Sequence, residues 1–109
     1  MKKFKDAFNG IFIGLKDNAI IMLIVIAIIV IIFSIVFLDI LSLIIIIICC
    51  MNVIGFEYIN SCIERLCDLY SKDYSLDIKN IKDLSAGATL IQAIFALIIG
   101  IIVLYNIWR

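Results

Sequence analysis

The sequence predicts an all-α membrane protein, with an N-terminal amphipathic surface helix and three transmembrane helices, the second extending into the cytoplasm. Three observations predict it. Of 109 residues, 66% are hydrophobic and only 17% charged, with no Pro and no His, a balance that leaves too little polar surface for a soluble domain. Ile occurs 29 times; in water that would favour strands, but in a bilayer the backbone must pair within its own segment, so Ile-rich runs become helices. Three apolar runs each approach the ~20 residues that a helical span requires. One domain over residues 1–109 follows from the length.

Residues 1–17, "MKKFKDAFNGIFIGLKD", place Phe4, Phe8, Ile11 and Leu15 near one helical face and add Lys2, Lys3, Lys5 and Lys16. This is the pattern of a helix lying on the membrane surface, its lysines touching anionic lipid. It is not a cleavable signal, because the apolar run behind it is too long and no small-residue cleavage site is evident. Residues 19–38 carry Ser34 as their one polar side chain and form the first span. "DILS", Asp39 to Ser42, is the turn. The second span covers 43–63, a polar cytoplasmic segment 64–83, and the third span 84–105, anchored at the interface by Tyr105 and Trp108. In the third span Ser85, Thr89, Gln92 and Ala96 form a small-residue face suited to helix packing.

Charge sets the orientation. Lys2, Lys3, Lys5 and Lys16 precede the first span, and Arg65, Lys72, Lys79 and Lys82 lie in 64–83. With three spans both segments share one side, and both are basic, so the N-terminus is expected in the cytoplasm and Arg109 outside. The expected location is a membrane crossed three times, with both basic segments on its cytoplasmic side. Nine basic and nine acidic residues give zero net charge, so no basic surface suggests nucleic acid as a partner. The cysteines, Cys49, Cys50, Cys62 and Cys67, have no CxxC spacing and no His beside them, and read as reduced packing residues.

The chemistry concentrates in "GFEYINSCIERLCDLY", Gly55 to Tyr70. At about 100° per residue, Asn60 falls about 60° behind Glu57, Glu64 about 20° behind and Asp68 about 20° ahead. The four form one stripe that starts at membrane depth and descends into the cytoplasm, with Ser61 at its edge. A carboxylate near hydrocarbon is a functional candidate, Glu64 and Asp68 are hard oxygen ligands suited to Mg²⁺, and Lys79, Lys82 and Asp83 could return to the same surface. Such a set describes phosphoryl transfer onto a lipid hydroxyl, where positioning and charge neutralisation supply most of the catalysis. The same stripe is also the pattern of a solvated or interhelical polar face. No GxxxxGK[ST] and no protein-kinase motif occurs.

"FEYINSCIERLCDLY", followed by "IKDLSAGATLI", resembles the small bacterial integral-membrane kinases of the diacylglycerol kinase and undecaprenol kinase family. Its Glu-x-x-Asn-[Ser/Thr]-x-Ile-Glu-x-x-x-Asp pattern reads here as Glu57, Asn60, Ser61, Ile63, Glu64 and Asp68, and its Lys-Asp pattern as Lys82 and Asp83, then Ser85 to Ala88. The resemblance covers most of the chain. It implies a homotrimer with shared active sites, ATP as donor with Mg²⁺, and a lipid acceptor in the bilayer. It implies Glu57 as the general base, Glu64 as a metal ligand, and Asn60, Asp68, Lys82 and Asp83 as the remaining polar residues, around nucleotide and phosphate. The "SAGA" form is similar to the Gram-positive branch, whose members commonly phosphorylate undecaprenol.

One departure stands out. The family has a further metal-binding Glu just before the first span, where this chain reads "LKDNAIIML". Asn18 falls on that position, and Asp17 sits beside it. Either Asp17 takes the metal role with a one-residue shift, or the site is weakened and the chain acts as a membrane interaction protein. A pore would need polar residues in every span, and the first has only Ser34.

Overall fold

The computed structural model describes residues 2–108, all helical apart from short connections. The helices are α1 (Lys2–Gly14), α2 (Asn18–Phe37), α3 (Ile40–Tyr70) and α4 (Leu76–Trp108). The last three are long and apolar enough to cross a membrane, as the expected fold class requires. Arg109 lies outside the described residues.

Helix α1 is shorter than the 1–17 expected: it ends at Gly14, and Leu15 to Asp17 turn the chain into α2. Helix α2 starts at Asn18 because Asp17 is its N-cap, with Oδ1 accepting from the Ala19 amide at 2.9 Å. This satisfies a backbone donor that the first helical turn leaves free.

The connection between α2 and α3 is tighter than the Asp39–Ser42 turn expected. The Leu38 amide closes α2 onto the Ser34 carbonyl at 2.9 Å, and Asp39 already stands at the N-cap position of α3, which begins at Ile40 rather than at residue 43. In hydrocarbon every residue left out of a helix exposes backbone polar groups, so the turn shrinks to the fewest residues that reverse the chain.

The 64–83 segment is also less of a separate unit than the sequence suggests. Helix α3 runs unbroken through it to Tyr70, and α4 begins at Leu76, leaving a connection of only 71–75. At about 1.5 Å per residue, α3 is roughly 46 Å long and α4 roughly 50 Å, so both outlast a ~30 Å hydrocarbon layer.

Helix α3 is central and packs on both α2 and α4. The interior is small: Ile20, Ala27, Ile46, Cys67 and Val103 are the buried apolar residues, beside buried Ser34, Asn60 and Ser61. Ser34 Oγ donates back to the Val30 carbonyl at 2.8 Å, which makes it self-sufficient in an apolar setting. Thr89 Oγ1 reaches the Phe56 carbonyl of α3 at 3.5 Å, so the small-residue face of α4 does meet α3. The four cysteines are free, as expected, with Cys67 buried and Cys62 exposed.

Candidate functional site

The sequence stripe becomes a real surface because α3 stays helical from the apolar run through Asp68. Glu57 is half-buried, Asn60 is buried, and Glu64 and Asp68 are exposed. Asn60 Nδ2 donates to Glu64 Oε1 at 3.2 Å, an i to i+4 contact along one face. Its amide oxygen, Oδ1, is buried with no partner. A buried acceptor left unpaired is destabilising by about 1–3 kcal/mol, so this oxygen is the clearest sign of a ligand position. Glu57 sits one turn closer to the apolar run, within electrostatic reach of both Asp17 and Glu64.

Asp17 reaches this face from another element. Ser61 Oγ donates to its Oδ2 at 2.8 Å, across 44 residues of sequence. The Ser61 hydroxyl holds the Asp17 carboxyl below its ordinary range against an opposing desolvation, with the Ala19 amide and Arg65 adding to the lowering. Ser61, which the sequence places only at the edge of the stripe, is therefore the link between the first-span mouth and the site. Tyr58 was not singled out by the sequence at all. Its hydroxyl donates to the Ile11 carbonyl at 2.9 Å, and the signal that could have found it is a Tyr at interface depth beside a Glu.

At the far end of the stripe, Lys82 Nζ donates to Asp68 Oδ1 at 2.7 Å, tying α4 to α3. Lys79 Nζ meets Asp83 Oδ2 at 2.6 Å, one turn along α4. Of these residues Lys82 meets α3 directly, and Asp68, Lys79, Lys82 and Asp83 line one polar hollow of about 230 Å³ beside the 71–75 connection. A larger void, about 540 Å³, is apolar and lies between the three long helices. Glu57, Asn60 and Glu64 line neither space. The face they form runs from half-buried Glu57 through buried Asn60 to exposed Glu64.

Among the described residues, no group of three or more His, Cys, Asp or Glu side chains could hold a metal ion. That does not conflict with Mg²⁺, which is usually bound by one or two carboxylates and completed by waters and substrate phosphates. Glu64, Asp17 and the unpartnered Asn60 oxygen are hard donors of that kind, so their chemistry fits such an ion. Asp17 is the weaker member, since each of its oxygens already accepts one hydrogen bond.

The family model described as prokaryotic diacylglycerol kinase matches residues 5–104. No curated protein gives a match, and no solved structure does. The matched range takes in α1 from Lys5, the capping Asp17, the whole α3 stripe and the Lys82–Asp83 pair. With three helices able to cross a membrane and a polar face at their mouth, the chain belongs to the prokaryotic diacylglycerol kinase family.

Proposed function

We propose that the chain is an ATP-dependent kinase for a lipid hydroxyl, with undecaprenol or diacylglycerol as acceptor, in the bacterial cytoplasmic membrane. The observation that carries this reading is the buried, unpartnered Asn60 oxygen between Glu57 and Glu64, at the level where α3 passes from apolar to polar sequence. A catalytic role for Glu57 is supported by its half-buried position about one helical turn beyond Val53 and Ile54, which line the apolar space.

In this reading Glu57 accepts the proton of the lipid hydroxyl, the hydroxyl oxygen forms a bond to the γ-phosphorus of ATP, and the bond to the β–γ bridging oxygen breaks to release ADP. Asn60 holds Glu64 in place, and its free oxygen takes a donor or a cation. Glu64 and Asp17 would hold Mg²⁺, which supplies neutralisation of phosphate charge. Lys82, positioned by Asp68, and the neighbouring Asp83 bind the nucleotide end. The exposed Glu64 beside half-buried Glu57 supports a homotrimer in which a neighbouring copy closes the site.

The basic residues support a cytoplasmic N-terminus, because the Asp17–Ser61 and Lys82–Asp68 contacts gather both basic segments at one end of the bundle. The engaged Asp17 oxygens favour a second reading, a weakened enzyme that serves as a membrane interaction protein. Purified protein given γ-labelled ATP, Mg²⁺ and each lipid separates the two: label in either lipid supports the kinase, and none in both refutes it.

A further inference from the structure

We propose that Tyr58 is a positioning residue that latches the surface helix to α3 and so sets the depth of α1 relative to Glu57. This goes beyond the kinase reading, and its kinetic consequence rests on that reading. Gly14 is the only buried residue of α1. The rest of the helix is exposed, with Phe4, Phe8, Ile11 and Phe12 all uncovered by the bundle. The hold on α1 is therefore concentrated in its last turn.

Two contacts make that hold specific. The Tyr58 hydroxyl donates to the Ile11 carbonyl, which also accepts the Leu15 amide at 3.1 Å, so both acceptor positions of this oxygen are filled. The Tyr58 ring lies directly on Gly14: a Cβ there would sit 2.5 Å from Cζ, and closer still to Cε2. Glycine is required here for close approach, not for backbone conformation, since no glycine has positive φ. Three residues on, Ser61 holds Asp17 at the start of α2. Tyr58 and Ser61 thus grip the α1–α2 elbow from either side, on the same turns of α3 that carry Glu57 and Asn60.

The lever is long. From Lys2 to Gly14 the helix spans about 18 Å, so a tilt of about 20° at the latch moves its tip by roughly 6 Å. The apolar side chains of α1 seat it in the interface between headgroups and acyl chains. Fixing the elbow to α3 therefore fixes the height of that interface against Glu57, and with it the level at which a lipid hydroxyl is presented.

The test combines depth with kinetics. Phe12→Trp in a Trp108→Phe background leaves one tryptophan, on α1, whose depth is read by quenching in phosphatidylcholine vesicles with acyl chains brominated at a shallow or a deep position. Tyr58→Phe keeps the ring and removes the hydroxyl, and Gly14→Ala pushes the ring away. Each should shift the quenching profile, and the Gly14→Ala/Tyr58→Phe pair should shift it no further than the larger single change, because both break one contact. Each single variant should also raise the acceptor-lipid KM several-fold, the scale of one lost hydrogen bond, with kcat and the KM for MgATP unchanged. An unshifted depth in both single variants, additive shifts in the pair, or a fall in kcat alone would overturn the latch. Should the parent protein phosphorylate neither lipid, the kinase reading fails and the depth result decides the latch by itself.

Discussion

Ser61 donates its hydroxyl hydrogen to Asp17 Oδ2 at 2.8 Å, while Asp17 Oδ1 caps α2 through the Ala19 amide. One carboxylate thus joins the start of the first long helix to the face of α3 that carries Glu57, Asn60 and Glu64. This gives Asp17 two separable duties, a cap for the helix and a charge for the site.

Asparagine caps a helix about as well as aspartate, so Asp17→Asn keeps the first duty and removes the second. The Mg²⁺ concentration needed for half-maximal activity should rise sharply, and Asn18→Glu in that background should restore activity. Asp17→Ala should lose the cap as well, lowering stability by about 1 kcal/mol, read as thermal unfolding in detergent. An unchanged Mg²⁺ requirement in Asp17→Asn would leave Asp17 as a cap alone.

The same carboxylate makes a pH prediction. Its folded-state pKa lies below that of a free aspartate, first because of the Ser61 hydrogen bond. A depressed carboxylate contributes stability that is complete above the unfolded value, about 3.9, and is lost as pH falls through the lower folded value. Wild type should therefore lose more stability than Asp17→Asn on acidification below about pH 4, and the two should run parallel from about pH 5 to neutrality. Parallel curves down to the lowest pH would show that Asp17 carries no such linkage.

Glu57→Gln keeps the side-chain volume but cannot take a proton. We expect it to lower phosphoryl transfer by about 10²- to 10⁴-fold, the usual worth of a general base, with an unchanged helical circular dichroism spectrum. Activity equal to wild type would remove Glu57 from the base role.

The Asp68–Lys82 pair is more than a third exposed at each side chain, and such pairs are worth only ~0–1 kcal/mol. Lys82→Met should therefore barely move the unfolding temperature while raising the KM for MgATP. A large loss of stability with an unaltered nucleotide KM would make the pair structural.

Orientation is open to direct labelling. Cysteine placed at Ser75, in the connection between α3 and α4, should react only from the cytoplasmic side, and one placed at the C-terminus only from outside. Reaction of both from one side would rule out three crossings.

Composition and periodicity were sufficient for the fold class, because a bilayer admits only helices for runs such as Ile44 to Ile48. They were also sufficient for the stripe, because Glu57, Asn60, Glu64 and Asp68 lie on one continuous helix whose geometry is a fixed rotation per residue. The tertiary structure decided what that rotation cannot reach. The Ser61 contact of Asp17, the Lys82–Asp68 pair and the seat of Tyr58 on Gly14 all join different segments. Where α1 stops and how few residues turn α2 into α3 likewise depended on packing and on satisfying backbone groups, as at Gly14 and at Leu38. A local pattern fixes which face a side chain occupies; only the approach of a second segment fixes what that face meets.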